Sequence, residues 1–474
     1  MHASHPARNT ERPAGSESAS WRNLRAAPGL ATRLLIAVVL LALAGGSPLP
    51  GANSLSQFGI TWTFDQDYPS GQFANGDYWV VGPVRVIDIK PGSETTGDRT
   101  INGSMLNPVV DTKQGYDSAS YGQYGPGYDP SLNVGRGVSP AAPLTLPAGS
   151  SLISAISEEP AGNRPQLRSA AILTILAAPA PAGSFRPPYC GADKTLRWNK
   201  AQLDYSKLRS LPKPRPRRDL AEVEAYLERP WLEHNPDWTG RYLHPSENQP
   251  DYGRDMALQI GEALLSLQLD YSEAEKEKLL IRLVQYGIDI YGVAKAGGAW
   301  LDLGGHNQGR KMPLLLAATV LGDADMLAYG DAAKHFIFQE DLQTFYVAET
   351  DVGRELAAVS GEKREPYIAA DIGMAEWGIR HASDPRFDGR NWDVPYRLVS
   401  CPCTLPHVLA ARLMGLEKQW NWPALFDYYD RFWEVENASR AGGAGSINAF
   451  TRVMWSTYRA ASGGPPGDGA RPVR

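Results

Sequence analysis

The sequence predicts an α+β multidomain protein: an N-terminal antiparallel β-sandwich, then helical hairpins stacked into an (α/α) toroid, complete or incomplete. Three observations carry that expectation. Runs of β-branched and aromatic residues, broken by glycine and proline, fill the stretch from Gln57 to about Leu176. Helical spacing of apolar residues takes over after Asp219. Within that half, Leu316-Ala317-Ala318-Thr319-Val320-Leu321-Gly322 resembles Leu409-Ala410-Ala411-Arg412-Leu413-Met414-Gly415, a weak internal repeat.

The chain of 474 residues is long enough for about two or three domains. With 43% hydrophobic and 21% charged residues it reads as a globular protein, and a net charge of −5 offers no basic field for nucleic acid. The 13 Trp and 21 Tyr could stack on sugars, although most such rings fill cores. Residues 1–52 read as a leader: Arg22, Arg25 and Arg33 precede the apolar run Leu34 to Leu41, and Ala42-Leu43-Ala44 is a small-x-small cleavage signal. The apolar run is short for a membrane span, so removal is expected rather than a stable membrane anchor. The expected location is periplasmic or secreted.

Residues 53–178 carry the strands. Ile60 to Phe64, Tyr78 to Val81, Val84 to Ile89, Leu144 to Leu146, Ser151 to Ile156 and Ala171 to Leu176 each have strand composition. Between Gly92 and Gly137 a Gly-, Ser-, Asn- and Tyr-rich text reads as long loops. A connector, 179–218, holds seven prolines and a basic run from Lys207 to Arg218; it reads as a semi-rigid linker or as a strip meeting an acidic polymer. The three cysteines are Cys190, Cys401 and Cys403. They are poor zinc ligands, and either buried thiols or a bridge from Cys190 to one of the other two would suit them.

Residues 219–461 form the helical part, and 462–474 read as a disordered tail. Ser272-Glu273-Ala274-Glu275 is a capping box, with Leu279, Leu280, Leu283, Tyr286 and Ile290 behind it at helical spacing. Further helices are expected near Pro366 to Arg380, Thr404 to Met414, Trp422 to Glu436 and Ser446 to Tyr458. Ala263 to Asp270 is a poorer third copy of the repeat. Such hairpins must stack to bury their faces, and roughly four to six of them fit this length.

The repeat places polar residues at the starts of presumed inner helices. The text AGGAWLDLGGHNQGRK carries Trp300, His306, Asn307, Arg310 and Lys311 into one of them; Tyr242, His244, Asn248, Tyr252 and Arg254 stand at the weaker copy. Helix N-termini and cations gathered at one mouth favour an anion. Tyr367 and Trp377 are further candidates for substrate contact. Asp302, Glu365, Asp371 and Glu376 form the pool from which a hydrolase would draw two carboxylates. The P-loop, dinucleotide-binding, HExxH and GxSxG patterns are absent, and no metal or cofactor is called for.

A β domain followed by helical hairpins with these residues at the helix starts resembles carbohydrate-active enzymes with (α/α)-toroid catalytic domains, the polysaccharide lyases in particular. The resemblance implies an acidic polysaccharide as partner, cleaved by β-elimination. It implies Tyr252 or Tyr242 with His306 or His244 as acid and base, and Asn307 or Arg310 neutralising a uronate carboxylate. Toroid glycoside hydrolases, with two carboxylates, are the alternative, and a glycan-binding envelope protein is a third.

Overall fold

The computed structural model describes residues 51–119, 127–159, 167–236, 240–248, 253–302, 304–354, 366–378, 395–439 and 447–460. The expected leader up to Pro50, the tail, Glu365 and Tyr252 lie outside these residues.

The strands come first: β1 (Gly51–Gln57), β2 (Ile60–Gln72), β3 (Tyr78–Val81), β4 (Val84–Lys90), β5 (Glu94–Thr96), β6 (Arg99–Ile101), β7 (Ser104–Leu106), β8 (Lys113–Gln114), β9 (Gly127–Tyr128), β10 (Leu144–Leu146), β11 (Ser150–Ser157) and β12 (Leu167–Leu176). Eight of them make one sheet in the order β10-β4-β2-β3-β12-β11-β7, with β1 on β2. The 13-residue β2 pairs with β4 through Thr61–Phe64 and with β3 through Ser70–Gln72. Register shifts at Ala52/Ser54 and Thr63/Phe64 bend it between those partners, and the sheet curls.

Alternation then sorts the side chains. Trp62, Phe64, Val86, Leu152, Leu173 and Ile175 fill the inside of the curl. Ile153, Ala155, Ala170 and Ile172, from the opposite face of β11 and β12, join the apolar cluster of the helices. All eight residues of β11 are therefore buried. The expectation of an antiparallel sheet needs one correction: β3 and β12 run parallel, so the sheet is mixed. Strand direction leaves no mark in residue composition when both faces are buried.

The helices are α1 (Leu220–Ala225), α2 (Gly253–Ser266), α3 (Glu273–Lys295), α4 (Lys311–Leu321), α5 (Ala324–Tyr329), α6 (Gln339–Leu342), α7 (Pro395–Leu413), α8 (Glu417–Trp420), α9 (Pro423–Ser439) and α10 (Ala449–Tyr458). The capping box at Ser272 forms as expected, its hydroxyl accepting from the Glu275 N–H. Two glycines let helices touch. A Cβ on Gly287 of α3 would lie 2.7 Å from Ala317 Cβ of α4, and one on Gly261 of α2 2.4 Å from Pro406 Cγ of α7. The repeat's glycines end α4 and α7: Gly322 and Gly415 both take the left-handed conformation, with φ of 67° and 69°.

One expected helix is absent from the described residues. Between Pro366 and Gly378 the chain makes a short 3-10 turn and β14 (Ala375–Trp377), which pairs with β13 (Thr344–Tyr346). Gly373, at φ 85°, breaks any helix there, and pairing with a strand about 30 residues away wins over a local pattern. The helix expected from Thr404 instead starts at Pro395 and carries Pro402 and Pro406 inside it.

The connector enters the core. Phe185, Arg186, Tyr189 and Cys190 are buried. Arg186 bridges Asp77, just before β3, at 2.6 Å and Asp289 of α3 at 2.5 Å, which ties the sheet to the helices. No disulfide forms, so the bridge from Cys190 is not made; all three cysteines are buried thiols.

Candidate active site

The polar centre of the helical half is Glu233, which the sequence did not single out. It lies in an extended segment between α1 and α2 and is 3% exposed. Burying a carboxylate is costly unless donors surround it. Here Tyr286 of α3 donates its hydroxyl to Oε1 at 2.9 Å, and the Trp300 indole donates to Oε2 at 3.0 Å. Arg310 Nε straddles both oxygens at 3.2 and 3.3 Å, and His244 Nε2 stands 3.3 Å from Oε1. The Glu233 backbone N–H donates to the Tyr189 hydroxyl at 2.5 Å. Burial pushes the Glu233 carboxyl up, but Arg310, then His244, outweigh it and hold the group below its usual range.

Arg310 occupies the residue before α4. Besides Glu233 it reaches the carbonyls of His306 and Gln308 through Nη1, at 3.3 and 2.8 Å. Among the described residues no hydrogen bond engages its Nη2. His306 is half-buried, and a Cβ on Gly253 would lie 2.6 Å from its Cα, so the start of α2 rests against this loop. The residue preceding Gly253 is Tyr252; the backbone of Tyr242 lies in the turn Gly240–Leu243.

The loop from Gly304 to Lys311 is held from behind by α6 and the residue after it. Gln339 donates to the Gly304 carbonyl at 2.6 Å and accepts the Asn307 N–H at 2.9 Å. Gln343 also donates to the Gly304 carbonyl, at 2.9 Å, and Glu340 Oε1 accepts the Gly309 N–H at 2.6 Å. Burial, reinforced by Asp341 next to it, pushes the Glu340 carboxyl up to about 7. On the far side of Gly309 sits His407, whose Nε2 donates to the Ala257 carbonyl at 2.7 Å; burial pushes its pKa down to about 4.

The structure thus gathers His244, Trp300 and Arg310 on one carboxylate, with His306 and Asn307 on the adjoining loop. The other residues expected from sequence sit differently. Lys311 is fully buried, 2.6 Å from Asp341 and over the Trp420 ring. Trp300 itself stacks on Phe338 and has no exposed face. Asn248 bonds the backbone of Arg229, and Arg254 pairs with Asp255 at 3.0 Å. Tyr367 is buried beside Val347, and Trp377 is buried on β14. Of the carboxylate pool, Asp302 is buried and Glu376 is paired with Arg397 at 3.1 Å. The residues that sequence reasoning missed are Glu233, Tyr286, Gln339 and Glu340. The one available signal was an acid beside a histidine in Trp231-Leu232-Glu233-His234-Asn235, closed at both ends by proline.

Among the described residues, no group of three or more His, Cys, Asp or Glu side chains is arranged to hold a metal ion. No family model matches the chain, and the comparisons found no similar curated protein or solved structure.

Proposed function

We propose that this chain is an exported polysaccharide lyase that cleaves an acidic, uronate-containing glycan by β-elimination, its helical hairpins forming an (α/α) toroid. The observation that carries the reading is the sharing of Glu233 Oε1 by Arg310 and His244, at 3.2 and 3.3 Å. An ionised, buried carboxylate keeps both groups oriented and keeps Arg310 cationic at the base of the loop bearing His306. Arg310 Nη2 then neutralises the substrate carboxylate, which acidifies the proton α to it. His306 takes that proton. The freed electron pair forms a double bond to the β carbon, the β C–O bond breaks, and the leaving oxygen receives a proton from Tyr252 or Tyr242. The toroid is supported by the close contacts of α2 with α7 and of α3 with α4. The leader supports export.

A glycoside hydrolase is the second reading. What favours it is that two buried carboxyls are displaced in opposite directions, Glu233 downward and Glu340 upward to about 7. One experiment separates the two. The protein is incubated with a panel of uronate-containing and neutral glycans while ultraviolet absorbance and reducing ends are followed together. Elimination produces both signals. Reducing ends without absorbance would sink the lyase reading in favour of hydrolysis.

A further inference from the structure

We propose that Glu340 is the positioning residue of this site: through the Gly309 N–H it holds the loop that carries His306 and Arg310, and it makes the loop's closure depend on pH. The inference rests on the reading of that loop as part of an active site, and the clamp itself can be measured without it.

Glu340 Oε1 accepts the Gly309 N–H at 2.6 Å, while Gln339 beside it takes the Asn307 N–H and the Gly304 carbonyl. Gly309 admits no side chain: at φ 92° its Cβ would lie 2.9 Å from Ala257 Cβ and 3.2 Å from His407 Cε1. The backbone between His306 and Arg310 is therefore fixed from two sides, by Glu340 and by α2 with α7. Glu340 is 2% exposed, and among the described residues its Oε2 has no partner.

The groups around Glu340 come from its own turn and from α3, α4 and α7. Asp341 on its own turn opposes its ionisation, and Lys311 from α4 favours it. Arg310 and Tyr286 of α3 feel its charge from the Glu233 side. His407 of α7 stands beside Gly309, and burial pushes its pKa down to about 4. The net result is a carboxyl that titrates near neutrality while the loop is closed. Opening the loop wets Glu340 and returns it to an ordinary carboxyl. The closed loop therefore binds a proton that the open loop releases, and closure weakens as pH rises through about 7.

Hydrogen–deuterium exchange of the full chain over residues 304–311, corrected for intrinsic exchange, reads this directly. The opening equilibrium is expected to rise about tenfold between pH 6 and pH 8, and Glu340→Gln to abolish the rise. A native loop with no pH dependence, or a Glu340→Gln loop that keeps it, would overturn the clamp. The positioning role is read on a turned-over glycan. Glu340→Ala is expected to lower kcat about tenfold or more with a smaller change in KM, and Glu340→Gln to restore most of that loss while shifting the pH profile near 7. Glu340→Gln as inactive as Glu340→Ala would make Glu340 a proton donor instead. If no glycan is turned over while the exchange result holds, the functional reading fails and the clamp stands.

Discussion

Arg310 and Glu233 form a buried ion pair in which the guanidinium Nε lies 3.2 Å from Oε1 and 3.3 Å from Oε2, with each residue no more than 3% exposed. Each needs the other. Removing one partner of such a pair leaves a charge in a medium that cannot solvate it.

Glu233→Ala is therefore expected to destabilise the fold by about 3–5 kcal/mol, measured by urea unfolding. Glu233→Gln, which keeps one acceptor oxygen for either Tyr286 or Trp300 and turns its NH2 toward the other, should lose less. Equal losses in both variants would show that the charge, and not the hydrogen-bond acceptor, carries the contribution; a loss below about 1 kcal/mol in Glu233→Ala would overturn the pairing argument.

His306 is half-buried on the loop that ends at Arg310. His306→Ala should lower turnover of a cleaved glycan by roughly 10²–10⁴-fold. A variant that turns over at the native rate removes His306 from the mechanism.

The acid limb of stability should come from two histidines. Burial pushes His234 down to about 3 and His407 down to about 4, from an ordinary value of 6.5. The unfolded chain binds more protons than the folded chain below 6.5, so stability falls as pH drops from 6.5 toward those values. Urea midpoints at pH 7, 6, 5 and 4 should decline, and His407→Gln should flatten the slope. An unchanged slope in the variant would assign the limb to other groups.

Arg186 joins Asp77 and Asp289 across the boundary between sheet and helices. Arg186→Ala leaves two buried carboxylates facing each other, a loss of about 3–5 kcal/mol. Because Asp77 belongs to the strand half, the variant should also raise hydrogen exchange in β3. Loss confined to the helices would mean the sheet is held by its apolar face alone.

The strands and the strongest helices were legible because their signals are local. Val84 to Ile89 and Ser151 to Ile156 carry strand composition, and Ser272 to Glu275 satisfies its own helix start within four residues. Those elements formed where the periodicity placed them. Between Pro366 and Gly378 the expected helix is replaced for the complementary reason: β13 supplied a better partner than its own backbone could.

The site divides in the same way. By itself the sequence determined that His306, Asn307 and Arg310 stand on a glycine-rich loop entering a helix, since that depends only on neighbours along the chain. Only the tertiary structure decided that Glu233 lies beneath Arg310 and that Glu340 holds Gly309, because 77 and 31 residues separate those partners. Such a contact is chosen by packing and by the need to pair every buried charge. No spacing in the sequence records it.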